Sequence, residues 1–581
     1  MRKTKIICTL GPATDDENVL RQLMLEGMNV VRFNFSHQTH EEHKKRYETV
    51  CRLRDELNLP VATLLDTKGP EIRLHTFQGG HVTLEDGQDF TIYTQKEIVG
   101  TAKEASVTYK GLSNDIAVGT RILMDDGLLE MEVRRFTQDK VVCRVIHGGV
   151  LSNRKSLNLP GRHLSLPYLS EQDESDIIFG IEMGFDFIAA SFVRSAEDIL
   201  KIKDVLNRHD CHNIRIIAKI ENAEGVENLD EIIRVSDGIM VARGDMGVEI
   251  DYEKIPAIQK MMIKKAYSAG KQVITATQML DSMIKNPRPT RAETTDVANA
   301  IYDGTSAIML SGETAAGAYP VEALRAMVKI AIQTEADIDY YQRFQKRMLC
   351  HSPNITNAIS EATVTTAHNL TANGIVTVSK SGQTACMISK YRPACPIIGC
   401  SFDRKVLRQM NLSWGVIPVY LEEEKNTDAL FQHAIDMAVK QGVLGQGDLA
   451  VITAGVPLGI SGTTNMIKVH IVGNVAVTGT GVTKNVICAN LCVCKNAQEA
   501  RQKFIPGEIL VIPETDNSLM SIMKDAAGII TEQEGLNSHA AVVGLTLDKP
   551  VIVGVQHATE LLKDGLTYTI DAGRGIVCNE N

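Results

Sequence analysis

Short apolar segments alternate with amphipathic helical periods in the first part of the chain, and this alternation predicts repeated βα units. Three such strands are followed by a stretch of alternating, hairpin-rich pattern, which is typical of an inserted β-rich domain. The βα pattern then resumes with five more strands. The eight predicted strands are 5–11, 29–36, 61–69, 185–193, 214–222, 238–242, 272–277 and 307–310. Eight units predict a closed (β/α)₈ barrel, with an open doubly wound sheet as the alternative.

The same patterns divide the chain into four predicted domains. Residues 1–69 and 168–340 form the barrel, and residues 70–167 form the β-rich insertion. Residues 341–473 form a second α/β domain around an open, mostly parallel sheet, and residues 474–581 form an extra C-terminal domain. In the second α/β domain the predicted strands are 374–379, 396–401, 416–421, 449–453 and 467–472. In the C-terminal domain a glycine-rich connector is expected first, followed by strands at 508–512 and 528–531 and a helix at 517–526.

The charge of the chain restricts its partners. It has 61 Lys and Arg residues against 71 Asp and Glu residues, a formal net charge of -10. A field of this sign repels nucleic acid and acidic membranes, so neither is an expected partner. The N-terminus leads directly into an apolar strand, and the twelve cysteines lack paired CxxC spacing. These features predict a soluble cytoplasmic protein with reduced thiols.

Polar residues end six of the eight predicted barrel strands. Because the carboxyl ends of barrel strands meet at one rim, we expect these side chains to lie together. Lys219 and Glu221 are two residues apart and therefore lie on one face of their strand, although a structural ion pair is the alternative interpretation of that pair alone. The candidate rim residues are Arg32, Asn34, Ser36, Asp66, Thr67, Lys219, Glu221, Gly244, Asp245 and Thr277, with Arg73 just beyond the third strand.

These residue types indicate a chemistry. The carboxylates Glu221 and Asp245 suit Mg²⁺ or Mn²⁺, which keeps several waters and takes its remaining ligands from a phosphorylated substrate. Arg32, Arg73 and Lys219 suit a phosphoryl group in transfer. The Gly244–Asp245 turn opens a short predicted helix, whose backbone N–H groups can hold a substrate carboxylate.

A second candidate anion site lies in the second α/β domain. Its residues lie between a strand and a helix, a position that favours either a phosphate site or a capped helix start. They are Ser379, Lys380, Ser381, Gly382, Gln383 and Thr384.

Five ordered segments resemble the pyruvate kinase family, and the likeness runs from residue 1 to about residue 473. They are residues 31–37 (VRFNFSH), 65–73 (LDTKGPEIR), 218–222 (AKIEN), 241–249 (VARGDMGVE) and 276–280 (ATQML). The resemblance implies an α/β protein in which a TIM barrel carries an inserted β-barrel lid domain and an α/β effector domain. It also implies the last step of glycolysis, in which the phosphoryl group of phosphoenolpyruvate passes to ADP to give pyruvate and ATP. Mg²⁺ or Mn²⁺, K⁺, a sugar-phosphate or nucleotide effector and a homotetramer are implied with it.

The resemblance also implies roles for single residues. Lys219, Arg32 and Thr277 would be catalytic, and the same three residues with Gly244 and Asp245 would bind the substrate. The nucleotide would meet Asn34, His37, Arg73 and Lys155. Glu221 and Asp245 would hold the divalent ion, while Asn34, Ser36, Asp66 and Thr67 would hold K⁺. The effector phosphate would bind residues 379–384, with residues 462–465 as the facing loop.

Three positions refine that expectation. Family members with Glu at the position of Glu71 resemble one another in needing K⁺, so K⁺ activation is expected. Gln38 and Ser156 stand where the family usually has Gly, which bears on contacts of the lid and the nucleotide rather than on the chemistry.

The segment around His539 resembles the swivelling phosphohistidine domain of phosphoenolpyruvate-utilising enzymes. Glu534 and Leu545 depart from that motif, and no ATP-grasp domain is recognisable, so a structural appendage is favoured over an active phosphocarrier.

Two other functions fit parts of the pattern. A (β/α)₈ lyase or aldolase acting on oxo acids also uses a carboxylate pair and Mg²⁺, but the five segments and the lid argue against it. A non-catalytic phosphometabolite sensor would tolerate the loss of Lys219 and Thr277, and both are present.

Overall fold

The computed structural model describes residues 1–346, 354–424, 426–455, 464–473 and 475–579. The chain opens with three parallel strands separated by two helices. They are β1 (Lys5–Thr9), α1 (Glu17–Leu25), β2 (Val30–Asn34), α2 (His40–Glu56) and β3 (Ala62–Asp66). Asn34 pairs with Asp66 in the register of β2 and β3, so the last residues of these two strands lie side by side.

The inserted lid follows β3. Its elements are β4 (His81–Leu84), β5 (Asp89–Tyr93), β6 (Glu104–Ser106), α3 (Leu112–Asp115), β7 (Arg121–Met124), β8 (Leu129–Phe136), β9 (Lys140–His147), β10 (Gly149–Ser152) and β11 (Leu157–Asn158). Six strands form a sheet in the order β11-β7-β8-β9-β5-β6, and β10 pairs with β4. Alternate residues such as Phe90, Ile92, Val133 and Val141 are buried in a core of the lid's own. The predicted hairpin pattern is therefore confirmed.

The barrel then resumes with five more strands, interspersed with helices. The elements are α4 (Glu171–Met183), β12 (Phe187–Ala190), α5 (Ala196–Arg208), β13 (Arg215–Ile220), α6 (Ala223–Glu227), α7 (Leu229–Val235), β14 (Gly238–Ala242), α8 (Arg243–Glu249), α9 (Ile255–Ser268), β15 (Gln272–Ala276), α10 (Arg291–Asp303), β16 (Ala307–Leu310), α11 (Gly312–Ala315), α12 (Pro320–Asp337) and α13 (Tyr340–Lys346).

The eight strands close into a parallel barrel in the order β1-β16-β15-β14-β13-β12-β3-β2. Apolar side chains from successive strands, including Ile7, Leu64, Phe187 and Ile217, form one buried cluster. All eight predicted strands are present, so the closed barrel is confirmed and the open sheet is excluded.

The α/β region that follows contains α14 (Ile355–Asn369), β17 (Gly374–Val378), α15 (Gln383–Lys390), β18 (Ile397–Ser401), α16 (Arg404–Met410), β19 (Val416–Tyr420), α17 (Thr427–Lys440), β20 (Leu449–Gly455) and β21 (Thr464–Ile471). The five strands form one sheet in the order β19-β18-β17-β20-β21, at the positions that the sequence predicts.

The C-terminal region contains β22 (Val475–Thr478), β23 (Thr480–Gly481), β24 (Val486–Val493), α18 (Ala497–Lys503), β25 (Ile509–Ile512), α19 (Met520–Asp525), β26 (Gly528–Thr531), α20 (His539–Leu547), β27 (Val551–Val553), α21 (Ala558–Leu561), β28 (Thr567–Asp571) and β29 (Ile576–Asn579). The eight strands of this region form one sheet in the order β22-β29-β28-β24-β25-β26-β27-β23. Strands β22, β23 and β24 lie where the sequence predicts a glycine-rich connector, so this segment contributes three strands to the sheet.

The chain divides into two compact units. The first contains Met1–Val364, Thr377–Glu423 and Thr453–Met466, and the second contains Thr365–Val376, Glu424–Ile452 and Ile467–Asn581. This division is coarser than the four predicted domains, whose boundaries remain predictions. Across the described ranges, no helix combines the length and the apolar character needed to cross a bilayer.

Candidate functional site at the barrel rim

Asp66 is the centre of a buried polar network at the carboxyl end of the barrel. Its Oδ2 accepts a hydrogen bond from Arg32 Nε at 2.5 Å, and its Oδ1 lies 3.0 Å from Lys219 Nζ. Ser191, directly after β12, donates to Asp66 Oδ1 at 3.1 Å and accepts from Lys219 Nζ at 2.7 Å. Asp66 and Lys219 are 1% and 9% exposed. The network therefore holds two cations in fixed positions on neighbouring parts of the rim.

The electrostatics of this network favour its charged form. Burial disfavours the carboxylate of Asp66, but Arg32 and Lys219 outweigh that effect and keep its pKa below the ordinary value. Burial likewise disfavours the ammonium of Lys219, but Asp66 and Glu221 outweigh it and raise the pKa of Lys219. The two carboxylates therefore favour the charged form of Lys219 at the rim.

Glu221 has one satisfied and one unsatisfied oxygen. Its Oε2 accepts the backbone N–H of Phe192 at 2.6 Å. Its Oε1 lies 3.1 Å from Lys219 Nζ, close enough for an ion pair, but it is buried and makes no hydrogen bond within the described residues. Burial raises the pKa of Glu221 to about 7; Lys219 opposes this shift and Asp245 adds to it. Lys219 and Glu221 thus form the ion pair that was the alternative interpretation. The Oε1 atom of Glu221 nevertheless accepts no hydrogen bond within the described residues.

Gly244 and Thr277 are brought into direct contact by the ends of β14 and β15. A Cβ atom on Gly244 would lie 2.7 Å from Thr277 Cγ2, so glycine is required there for steric reasons. Thr277 has φ of 73°, an unusual conformation for a β-branched residue. Arg243 holds this conformation in place, since its Nη2 donates to the carbonyl oxygen of Thr277 at 2.7 Å and its Nε donates to that of Ala276 at 3.1 Å.

The oxygen-bearing residues predicted as a cation cage lie at the ends of β2 and β3. Asn34 Oδ1 accepts the backbone N–H of Ser36 at 3.2 Å. Thr67 is buried, and both its hydroxyl and its carbonyl oxygen contact Ser191. Since Asn34 and Asp66 are in register, the four predicted residues lie within one short segment of the rim.

The predicted nucleotide residues of the lid are not joined to this network. Arg73 Nε donates to Glu71 Oε2 at 2.8 Å, and Lys155 Nζ lies 2.6 Å from Asp125 Oδ1. Neither forms a hydrogen bond or ion pair with Arg32, Lys219 or Glu221 in the portion of the chain that the structure describes. His37, near the end of β2, accepts a hydrogen bond from His43 Nε2 through its carbonyl oxygen at 3.0 Å.

The effector segment 379–384 begins directly after β17, and its last two residues, Gln383 and Thr384, start α15. Gly382 has φ of 72° and precedes the first residue of the helix, Gln383. The Thr384 hydroxyl lies 2.7 Å from that of Thr464. Of the predicted facing loop, Gly462 and Thr463 lie outside the described residues.

In the C-terminal region, residues 475–579, His539 is the first residue of α20. Asn517 Oδ1 accepts from its Nε2 at 3.2 Å, and the Thr515 hydroxyl lies 3.0 Å from its Nδ1. Both ring nitrogens of His539 are therefore within hydrogen-bonding distance of a neighbouring side chain.

Two residues of the rim were missed by sequence reasoning. Ser191 connects Asp66, Thr67 and Lys219, yet the fourth strand was counted without a polar end. Ser191 follows the apolar strand β12 directly, but serine is too common at strand ends for this position to have identified its role. Arg243 directly follows the sixth strand, and its hydrogen bond to the Thr277 carbonyl oxygen is a contact that sequence spacing does not reveal.

Comparison with known proteins places these features in context. The family described as "Pyruvate kinase, barrel domain" matches residues 1–324, and "Pyruvate kinase, alpha/beta domain" matches residues 357–470. The family described as "PEP-utilising enzyme, mobile domain" matches residues 504–575. Thus the two pyruvate kinase families together match most of the chain.

Full-length relatives give the same result. A pyruvate kinase from Geobacillus stearothermophilus is 50% identical over 99% of this chain and 98% of its own length. One from Bacillus licheniformis is 49% identical over 99% of each chain. The crystal structure of a pyruvate kinase from Cryptosporidium parvum is 39% identical, with a TM-score of 0.77 over 81% of this chain and 96% of its own.

Proposed function

The chain belongs to the pyruvate kinase family, and on that premise we propose how its rim residues carry out the reaction. Like its relatives it is a kinase-type phosphotransferase that converts phosphoenolpyruvate to pyruvate. The observation that carries the assignment of roles is the buried row formed by Arg32, Asp66, Lys219 and Glu221, because it places fixed cations beside an incompletely paired carboxylate.

Arg32 and Lys219 hold the phosphoryl group during transfer. The bond between phosphorus and the enol oxygen of phosphoenolpyruvate breaks, and a bond to a β-phosphate oxygen of ADP forms. Negative charge then develops on the enolate oxygen, where the buried ammonium of Lys219 stabilises it. Protonation of the enolate carbon completes pyruvate. Asp66 orients both cations, since it contacts each of them.

The substrate carboxylate is held at the other side of the rim. The backbone N–H groups of Gly244 and Asp245 and the hydroxyl of Thr277 supply its donors. The close contact between Gly244 and Thr277 supports this role, because it fixes the two groups relative to each other.

Glu221 and Asp245 fit a divalent ion, Mg²⁺ or Mn²⁺. The support is the buried Oε1 of Glu221, which makes no hydrogen bond within the described residues, and the repulsion by which Asp245 helps to raise the pKa of Glu221. Among the residues that the structure describes there is no cluster of three or more His, Cys, Asp or Glu side chains suited to a metal. Two protein carboxylates suit an ion that takes its other ligands from water and substrate, and such an ion supplies charge neutralisation at the phosphoryl oxygens.

Asn34, Ser36, Asp66 and Thr67 fit K⁺, since they offer oxygen ligands and one negative charge within a short rim segment. Arg73, Lys155, His37 and Asn34 bind the nucleotide when the lid closes over the rim. Activity in buffer free of monovalent cations should be far below that with K⁺; equal activity in the two buffers would refute the K⁺ assignment.

The segment 379–384 binds a phosphate of a sugar-phosphate or nucleotide effector. Its support is the position of Gly382 and Gln383 at the start of α15 and the hydroxyl of Thr384 beside Thr464. A phosphorylated effector should shift the saturation curve for phosphoenolpyruvate in the parent but not in Ser379→Ala. We also propose that the protein is a homotetramer in the cytoplasm.

Residues 474–581 serve as a structural appendage rather than as a phosphocarrier. The engagement of both ring nitrogens of His539 by Thr515 and Asn517 supports this assignment. Acid-labile phosphate on His539 after incubation with phosphoenolpyruvate would refute it.

The central experiment measures pyruvate formed from phosphoenolpyruvate with ADP, with and without Mg²⁺ and K⁺. Lys219→Met should abolish transfer while Mn²⁺ still binds, because Glu221 and Asp245 are retained. Lys201→Met is the matched control, since Lys201 lies on α5 and pairs with Glu197 at the surface. Normal turnover by Lys219→Met would refute the role of Lys219.

A further inference from the structure

A cavity of about 580 Å³ lies at the end of the barrel opposite to the rim. It is bounded by the amino ends of β13 and β15, by helix α5 and by the segment that leads into α15. Four cationic side chains line it: Lys203 from α5, Arg215 at the start of β13, Lys271 just before β15, and Lys380 after β17. This volume lies within the range of pockets that bind small metabolites.

The positive charge of this cavity is poorly balanced. Asp237 is its single acidic lining residue, and Asp237 Oδ2 already accepts the backbone N–H of Ile216 at 2.8 Å. Within the described ranges, none of the four cations forms an ion pair with a carboxylate. Burial lowers the pKa of Lys271, Asp237 opposes that shift, and the nearby charges of Lys203 and Arg215 add to it. The cations are thus close enough to repel one another.

Two of the cations are fixed in place without being neutralised. Arg215 Nη2 donates to the carbonyl oxygen of Ser381 at 2.8 Å, and Lys271 Nζ donates to that of Ser236 at 2.6 Å. A neutral carbonyl partner orients each side chain but leaves its full charge. A cavity that is lined by four uncompensated cations, two of them held in place, is complementary to a multiply charged anion.

We propose that this cavity binds a small phosphorylated metabolite through Arg215, Lys271, Lys203 and Lys380. The guanidinium of Arg215 can form paired hydrogen bonds with phosphate oxygens, and the three ammonium groups add point charges. The cavity is larger than a phosphate ion, and the polar side chains of Asn207, Gln383 and Gln409 line the remainder. The site goes beyond the effector role proposed for residues 379–384, since three of its four cations belong to the barrel.

The cavity is connected to the rim by two barrel strands. Strand β13 begins with Arg215 and carries Lys219 four residues later, which is about 13 Å along a strand. Lys271 precedes β15, and Thr277 follows the other end of that strand. An anion that draws in Arg215 and Lys271 therefore acts on the strands that position the catalytic lysine and Thr277. We expect such a ligand to change the KM for phosphoenolpyruvate more than kcat.

Thiol alkylation gives a local test, because Cys211 and Cys386 both line the cavity. Glycerol 3-phosphate and inorganic phosphate serve as probes, and iodoacetamide labelling of each cysteine is followed by peptide mass spectrometry in the full-length protein. Glycerol 3-phosphate should slow labelling of Cys211 and Cys386 but not that of the exposed Cys488. Labelling of Cys211 and Cys386 that is unchanged at every probe concentration would overturn the proposal.

Variants separate this site from the two others that could bind the probe. The side chain of Lys203 makes no hydrogen bond or ion pair within the described residues, so Lys203→Met should fold normally and raise the half-protecting concentration about tenfold. Lys271→Met should do the same, whereas the control Lys201→Met should not. Lys219→Met, which alters the rim, should leave protection intact.

Protection that survives both Lys203→Met and Lys271→Met but disappears in Ser379→Ala with Thr384→Ala would place the probe on the effector segment alone. That result would overturn the cavity site while leaving the proposed effector segment standing. Loss of the phosphoenolpyruvate reaction in the Lys219→Met variant tests the proposed function separately.

Discussion

Asp66 and Lys219 face each other across the rim from β3 and β13, with Oδ1 and Nζ 3.0 Å apart in a buried environment. Because Asp66 also holds Arg32, one carboxylate positions both cations that meet the phosphoryl group.

Replacement of that carboxylate should affect both stability and turnover. In Asp66→Asn the buried Lys219 and the partly buried Arg32 lose their shared counter-charge, so we expect the free energy of unfolding to fall by about 3 kcal/mol. We expect kcat to fall about a hundredfold, because neither cation is then held in position. Thermal unfolding and steady-state kinetics measure the two effects.

The matched control is Asp15→Asn. Asp15 forms an ion pair with Arg46 and is exposed, so its loss should change the stability by less than about 1 kcal/mol and leave kcat unchanged. A parental kcat in Asp66→Asn would contradict the positioning role.

Metal affinity should depend on the protonation of Glu221. In the metal-free protein burial raises its pKa to about 7, so below that pH a proton must leave before a cation can bind. Mn²⁺ affinity should therefore rise about tenfold per pH unit up to about pH 7 and level off above it. Calorimetry in buffers of different ionisation enthalpy would detect the released proton. Glu221→Gln should bind Mn²⁺ weakly and release no proton from this position, and a parental affinity independent of pH would contradict the expectation.

Gly244→Ala should damage the substrate-carboxylate site. Its Cβ would lie 2.7 Å from Thr277 Cγ2, and relief of that clash must displace the Thr277 turn. We expect the KM for phosphoenolpyruvate to rise at least about tenfold, corresponding to an overpacking cost of about 1–3 kcal/mol. Gly247→Ala on the same helix is the control, because its Cβ meets no atom within 4 Å and alanine favours helix. Equal KM values for the two variants would show that the contact is unimportant.

The two glycines that flank the lid should differ in sensitivity. Gly69 and Gly161 have φ of 73° and 70°, so alanine at either position costs about 1–2 kcal/mol of backbone strain. At Gly69 the added Cβ would also lie 2.8 Å from Ser191 Cβ, whereas at Gly161 it meets nothing within 4 Å. Gly69→Ala should therefore lower stability by more than this strain and also lower kcat, while Gly161→Ala should lower stability by the strain alone and leave kcat unchanged. Identical melting temperatures and kcat values in the two variants would contradict this assignment.

The barrel and much of its rim were predictable because they depend on local patterns. Buried parallel strands have apolar sequences of recognisable length, and their carboxyl ends share one rim by topology, so Lys219, Glu221 and Asp66 could be grouped before their contacts were known.

Gln38 stands where the family usually has glycine, and its backbone φ is 76°. Glycine adopts this conformation freely, which explains the family preference for glycine at that position.

The parts that were missed depend on long-range pairing. Strand β24 lies in the predicted connector and pairs antiparallel with β28, roughly eighty residues later, so no local pattern selects it. Ser191 acts through a hydroxyl that touches three residues from other strands, and serine at the end of a strand is too common to indicate this role. Predicted domain boundaries likewise depend on contacts between distant segments.

The insertion of the lid between β3 and β12 also determines the order in which the rim can be assembled. Leu64 pairs with Phe187, so a growing chain must make the whole lid before β3 gains its second neighbour. Until then β3 presents an open strand edge, and β1 remains open until β16 emerges, which exposes the nascent chain to aggregation. The lid has a hydrophobic core of its own, and its early folding would draw the two ends of the barrel chain together and reduce the entropy lost on closure. Arg32 and Asp66 are thus synthesised long before Lys219, and the reaction site is completed only by the second half of the barrel.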